Sequence, residues 1–302
     1  MKLKLFLLFI SLITLKYNNL VGQTNRYIDS IRIGKFVVYK LQEAEFYVPS
    51  SVLKPINKDK MPLLAANLDS VHAPANSFLI KSPNNIILVD AGIGDYSSNP
   101  EKNLMTLIKS IGVEPNQVDM ILITHFHFDH ISGLIDSLGN ESFPNASIYV
   151  SQKENDYWFN NPNQLLEKHK KRAKMVPNYF VPYMNANKYY TFNDYEFIAE
   201  GIQAIPAYGH TMGHTIFSFE SSNQTLWCIG DLMHIKKIQF DHPRLGITYD
   251  SKPETAVESR MKLFEQAAKK RVYIAASHDF DYFKIKINGE KIVEIPLTYL
   301  IL

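Results

Sequence analysis

Four side chains able to bind a metal ion fall within six residues: His125, His127, Asp129 and His130, in the run THFHFDH. Apolar Phe126 and Phe128 separate the first three. Imidazole nitrogens together with a carboxylate suit a borderline divalent ion such as zinc. Along an extended segment alternate side chains point the same way, so His125 and His127 can share one ion while Asp129 and His130 face another. An isolated histidine is more often a cap or a surface residue, but packing does not account for four ligand side chains at ligand spacing. Three more candidates come later: His210 in AYGHTMGH, Asp231 in CIGDLMH and His278 in AASHDF, each at or just beyond an apolar run. The seven together offer enough donors for two ions. No serine or cysteine nucleophile is needed, and the single cysteine, Cys228 in TLWCIG, reads as an inert core thiol that can form no internal disulfide.

These residues need strands to hold them. DMILIT is a short apolar strand that runs straight into the histidine run, and VYIAASH repeats that arrangement at His278. KFVVYKL and NSFLI read as strands, and NNIILVDAG as a strand buried on both faces. IQAIPA, TIFSF and TLWCIGD are further strands. Leu104, Leu107, Ile108 and Ile111 recur at helical spacing before Gly112, a C-terminal cap. PETAVESRMKLFEQAAKK is a second helix, with Pro253 at its start and Val257, Met261, Phe264 and Ala268 turned inward. The stretch from Asn161 to Tyr190 is an excursion that shapes the pocket, and NQLLEKHKKRAKMV inside it has the pattern of a helix with a basic outer face. Asn288-Gly289, between alternating runs, is the pair preferred in a tight type I′ hairpin.

The composition narrows the setting. With 302 residues, 46% of them apolar, the chain can bury a large core, and one domain over 23–302 is expected. Thirty-two basic and 30 acidic residues are interspersed, for a formal charge of +2, which disfavours a nucleic-acid or anionic-membrane partner. Lys2 and Lys4 precede an apolar run from Leu5 to Leu15, the order of a secretory signal. Residues 1–22 are therefore expected to be a signal peptide, with the mature chain exported to a periplasmic or secreted location and holding no stable membrane anchor.

THFHFDH, GHTMGH, GD and SH, in this order, resemble the metallo-β-lactamase superfamily over nearly the whole mature chain. FPNASIYVSQKENDYW and GDLMHIKKIQFDHP are similar, more narrowly, to its methyl parathion hydrolase and quorum-quenching lactonase branch. The resemblance implies an α/β fold, an αββα sandwich. It implies two divalent metal ions, zinc first, one held by His125, His127 and His210 and one by Asp129, His130 and His278, with Asp231 bridging. Asp90 would stand behind these ligands and orient them, the lesser alternative being a turn-forming aspartate. Only the first histidine of GHTMGH is carried over as a ligand, which leaves His214 and His234 to support the others. His127 stands where diiron oxygen reductases of the same fold carry glutamate, and the pattern points to hydrolysis.

The implied reaction is attack of a metal-bridging hydroxide on a lactone or related ester, a small-molecule substrate, with Asp129 passing a proton to the leaving oxygen and Asp231 completing the centre. An aryl ester or phosphotriester is the nearest alternative. A β-lactamase, a nuclease and a non-catalytic metal-binding module follow, and a homodimer is compatible with the exposed apolar loops. Phe126 and Phe128, with Tyr157, Trp158 and Phe159, would serve either as an aromatic wall of the pocket or as core.

Overall fold

The structure, a computed structural model, describes residues 25–56, 69–295 and 297. The expected leader, 1–22, lies outside them. The first sheet contains β1 (Ile28–Ile33), β2 (Phe36–Pro49), β4 (Ser70–Lys81), β5 (Ile86–Val89), β6 (Met120–Leu122), β7 (Ser147–Ser151) and β8 (Tyr189–Phe192), in that spatial order. The second runs β16 (Lys291–Ile295), β15 (Tyr282–Asn288), β14 (Tyr273–Ala275), β12 (Gln224–Cys228), β11 (Thr215–Ser221), β10 (Ile202–Pro206), β9 (Phe197–Ala199). A small ribbon pairs β3 (Leu53–Lys54) with β13 (Gly246–Ile247). Strands β5 to β8 are parallel to one another, as are β12 and β14.

The apolar runs explain the layering. Side chains alternate across a strand, so Ile87 and Val89 enter the core between the sheets while Leu88 packs on the outer face. Phe217, Leu226, Cys228 and Ala275 meet them from the second sheet. The outer face of the first sheet is covered by α1 (Leu104–Ser110), through Leu104, Leu107 and Ile108, and by the later helix Val176–Asn185. Two one-turn helices lie between, α2 (Phe128–Ile131) and α3 (Gln152–Asn155), followed by α4 (Glu167–Ala173) and α5 (Val176–Asn185). A further turn, α6 (Lys236–Gln239), precedes α7 (Pro253–Lys270), which covers the second sheet with Leu263, Phe264 and Ala267 against Trp227 and Ile274. Both sheets are thus sealed on both faces, an αββα sandwich, and this is why their central strands are apolar throughout. Among the described residues no helix is long and apolar enough to cross a membrane.

Several local expectations shift. Helix α7 spans the stretch read from the sequence, but Met261 and Ala268 are half-buried, and the buried face includes Arg260. The Arg260 guanidinium donates to the carbonyls of Leu232, Pro243 and Leu245, so it closes loop ends instead of meeting water. The final hairpin turns one residue later than Asn288-Gly289, because Asn288 pairs with Lys291. Of the turn residues only Gly289 has positive φ, +61°, as a turn with glycine first requires. The basic stretch is helical only over Glu167–Ala173, and a second helix, α5, follows where an irregular excursion was expected.

Candidate metal centre

The carboxyl ends of β5, β6, β12 and β14 open onto one edge of the sandwich, where open α/β sheets commonly bind ligands. Beyond β6 the chain stays extended through His127, and then α2 turns Asp129 and His130 back over it. His210 comes from the loop before β11, Asp231 from the end of β12 and His278 from the end of β14. All seven sequence candidates meet there, in two groups that share a member: His125, His127, His210 and Asp231, and Asp129, His130, Asp231 and His278. Within each group the donor atoms lie within 4.8 Å of one another.

The donor atoms stand close enough together to share ions. His127 Nδ1 is 3.0 Å from His125 Nε2 and 2.9 Å from His210 Nε2, so three imidazole nitrogens converge on one point. A tetrahedral zinc site with bonds of about 2.0–2.1 Å places its ligand atoms about 3.3 Å apart. Asp231 divides its oxygens: Oδ2 lies 3.2 Å from His210 Nε2, and Oδ1 lies 3.2 Å from His130 Nε2 and 3.1 Å from His278 Nε2. Asp129 Oδ2 is 3.5 Å from His130 Nε2 and 3.7 Å from His278 Nε2. Asp231 Oδ1 and His130 Nε2 are fully buried yet have no hydrogen-bond partner. Buried polar atoms are rarely left so, and two divalent ions would satisfy these. Two divalent ions therefore fit the residues present.

Electrostatics divide the donors: against the pull of burial, Asp231 raises His130, His210 and His278 above the usual histidine range, whereas two imidazoles and the shared carboxylate are held in the form that binds metal. Burial, then the charge of His130, holds His125 well below the usual histidine range; burial, then His210, does so for His127. Neutral imidazole is the form that binds metal. Burial would raise Asp231, but His278, His130, His234 and His125 around it hold it well below the usual carboxylate range, so it stays an anion.

The residues behind the donors fix their direction. Asp90 accepts from Thr124 N at 2.8 Å, from Thr124 Oγ1 at 2.9 Å and from His130 Nδ1 at 2.7 Å, and Thr124 Oγ1 also reaches His125 Nδ1 at 3.0 Å. One carboxylate thereby orients a histidine in each group, from a backbone at φ +59°. His210 Nδ1 is held by Asp250 at 3.0 Å, and His278 Nδ1 donates to Pro74 O at 2.9 Å, which leaves its Nε2 lone pair for an ion. His214 donates from Nδ1 to Ala207 O and accepts the Asp231 backbone N–H at Nε2, so it positions Asp231 without facing the centre. His234 is placed differently. Its Nε2 is 3.1 Å from Asp231 Oδ2, its Nδ1 is buried without a partner, and its ring lines the cavity. Asp90→Asn replaces an acceptor of the His130 Nδ1 proton with an amide and is expected to weaken metal affinity about 10–100-fold, read by competition with a chelating dye.

Three supports left no local sequence signal. Asp250 is one. Glu43 is the extra residue where the register of β2 against β4 slips between Gln42 and Ala44, a bulge that turns its carboxylate inward. There it accepts from Ser77 Oγ at 2.6 Å and from Ile93 N at 3.1 Å, bracing the turn after Asp90. Gly92 makes room for it, since a Cβ there would fall 1.9 Å from Glu43 Oε1. Glu154, in α3, accepts from Phe126 N at 3.1 Å, Gly213 N at 2.7 Å and Trp158 Nε1 at 2.7 Å. It ties the loop of His125 and His127 to the loop of His210, and Gly213 is required because a Cβ there would lie 2.1 Å from Glu154 N.

Burial pushes Glu43 from its ordinary 4.5 to about 7. The folded state then holds this proton more tightly than the unfolded chain. Its contribution to stability is full below about pH 4.5 and is lost, up to ~3 kcal/mol, as pH rises to about 7. In metal-stripped protein, Glu43→Gln should gain on the wild type over that interval in urea midpoints. Parallel pH profiles would contradict this.

Above the donors lies a cavity of 390 Å³, lined by His127, Asp129, His210, Asp231 and His278 of the donor groups and by Phe46, Val48, Phe128 and Tyr249 among others. The aromatic expectation divides here. Phe128 faces the cavity, whereas Phe126, Tyr157 and Trp158 are core and Phe159 packs against it.

The sequence pattern of the metallo-beta-lactamase superfamily matches residues 72–278, which include all seven donors. The chain belongs to this superfamily. It is a metal-dependent hydrolase of that superfamily, related to N-acyl homoserine lactonases. The N-acyl homoserine lactonase AiiA of Bacillus thuringiensis subsp. kurstaki is 24% identical over 235 residues, which cover 71% of this chain and 84% of the relative. The solved hydrolase AbOPH of the beta-lactamase superfamily is 26% identical and superimposes with a TM-score of 0.81 over 90% of this chain and 98% of its own. AidC, a dizinc quorum-quenching lactonase, is 24% identical with a TM-score of 0.77 over the same shares, a likeness of fold.

Proposed function

We propose that this metallo-β-lactamase-superfamily chain opens a lactone or related small-molecule ester with two zinc ions, one held by His125, His127 and His210, the other by Asp129, His130 and His278, with Asp231 shared. The observation that carries the reading is the division of Asp231 between the two donor groups at the floor of a cavity. Two such ions, when bound, bring the pKa of water near neutrality and polarise the oxygen of an acyl or phosphoryl group.

The chain's own residues do the rest. Asp231, Asp90 and Asp250 hold imidazoles of both groups in fixed directions, so the site needs little rearrangement when substrate arrives. Asp129 is the most open donor, with its side chain 35% exposed, and its other carboxylate oxygen, Oδ1, can take a proton from the attacking water and return it to the leaving oxygen. Phe46, Val48, Phe128 and Tyr249 give an acyl chain or aryl group an apolar seat that excludes water.

A panel of an acyl-homoserine lactone, a simple lactone, an aryl acetate, an aryl phosphotriester and nitrocefin, each before and after chelation and zinc restoration, tests this reading. Lactone turnover that is fastest and metal-dependent is expected. Absence of metal-dependent turnover on every oxygen ester would overturn it.

A further inference from the structure

One wall of the cavity comes from α4, whose Lys168, His169 and Arg172 all line it. Residues four apart share a helix face, so Lys168 and Arg172 look the same way. Their charges are used differently. Lys168 Nζ is spent on three backbone carbonyls, Thr248 at 3.0 Å, Tyr249 at 3.2 Å and Asp250 at 2.7 Å, and so pins α4 to the loop that orients His210. Arg172 makes no ion pair or side-chain hydrogen bond with any described residue. Its guanidinium carbon stands 5.7 Å from the centre of the Phe128 ring, itself part of the cavity lining. Both acids that line the cavity, Asp129 and Asp231, belong to the donor groups.

The residue between these cations adds a second, independent feature. Tyr157 Oη accepts the Leu166 N–H at 3.0 Å and shares a hydrogen bond of 2.9 Å with His169 Nδ1, so that nitrogen is engaged away from the cavity. The tautomer that gives the Tyr157 hydroxyl an acceptor carries the His169 proton on Nε2, which has no hydrogen-bond partner among the described residues. The wall presents a free guanidinium and an imidazole N–H beside the donor groups. A neutral acyl chain laid against it would strip water from both without replacing the hydrogen bonds, a net cost. A planar anion would restore them, and bidentate pairing to carboxylate or phosphate is what guanidinium geometry favours.

Resting on the hydrolase reading, we propose that the natural substrate is an ester or lactone that carries an anionic group, carboxylate or phosphate, seated on Arg172 and His169. The test uses the full-length zinc-loaded protein and three versions of one lactone, bearing a side-chain carboxylate, the corresponding carboxamide, or a phosphate. The wild type should prefer an anionic version over the carboxamide in kcat/KM, and the preferred anion identifies the group. Arg172→Gln should reduce that preference about 10–100-fold, the worth of a charge-assisted hydrogen bond, while Lys171→Gln, an equal charge change on the exposed side of α4, should keep it. No preference in the wild type, or an equal loss on charged and uncharged versions in Arg172→Gln, would overturn the proposal. Calorimetric binding of glutarate and of inorganic phosphate to metal-free protein separates this inference from the hydrolase reading. Binding that weakens in Arg172→Gln supports the anion seat even if no version is turned over, and binding unchanged by the substitution overturns it.

Discussion

Asp231→Ala is expected to lower turnover at least about a thousand-fold, ~4 kcal/mol of barrier, and to leave the protein with fewer than two metal ions. The reason is its dual position. Oδ2 faces His210 and His234, and Oδ1 faces His130 and His278, so one deletion removes a donor from both groups and the only anion common to them. The backbone around it is set by the His214 acceptor on its N–H, which the substitution leaves in place, so the fold should persist. Elemental analysis and circular dichroism on the same preparation separate these effects. A variant that keeps two ions and full turnover would sink the bridging assignment.

Glu154→Ala should have the largest effect on stability, ~3–5 kcal/mol. It strands the Phe126 and Gly213 N–H groups and the Trp158 indole N–H, all buried, and leaves a void between two ligand loops. Burial raises the Glu154 pKa, and these donors together with the Thr211 side chain pull it back. Because Glu154 joins the His125 and His127 loop to that of His210, the metal group containing those three should weaken more than the group of Asp129, His130 and His278. Cobalt titration followed by absorption reads the two affinities apart. Denaturation midpoints within ~1 kcal/mol of wild type would contradict the clamp.

Much of this was legible in the sequence, for a physical reason. The donor residues are concentrated in short motifs at strand ends, and continuous apolar runs mark the strands sealed on both faces, as Ile87, Leu88 and Val89 illustrate. Helix α7 announces itself with Pro253 at its start and with Val257 and Phe264 at helical spacing on its buried face. The supports were not legible, because they join distant segments. Glu43 is turned inward by a bulge in the pairing of β2 with β4, and Glu154 and Asp250 reach loops more than 35 residues away, at separations of 59 for Glu154–Gly213 and 40 for His210–Asp250. The role of Phe126 was undecidable for the same reason: its packing partner, Phe180 at 4.5 Å, comes from a helix that the sequence pattern did not disclose.

The most direct test of a two-metal centre is the metal content of the purified full-length chain, measured by elemental analysis. Two divalent ions per chain are expected. A content of one ion or none, after zinc has been supplied in excess and the unbound metal removed, would contradict the account at its base.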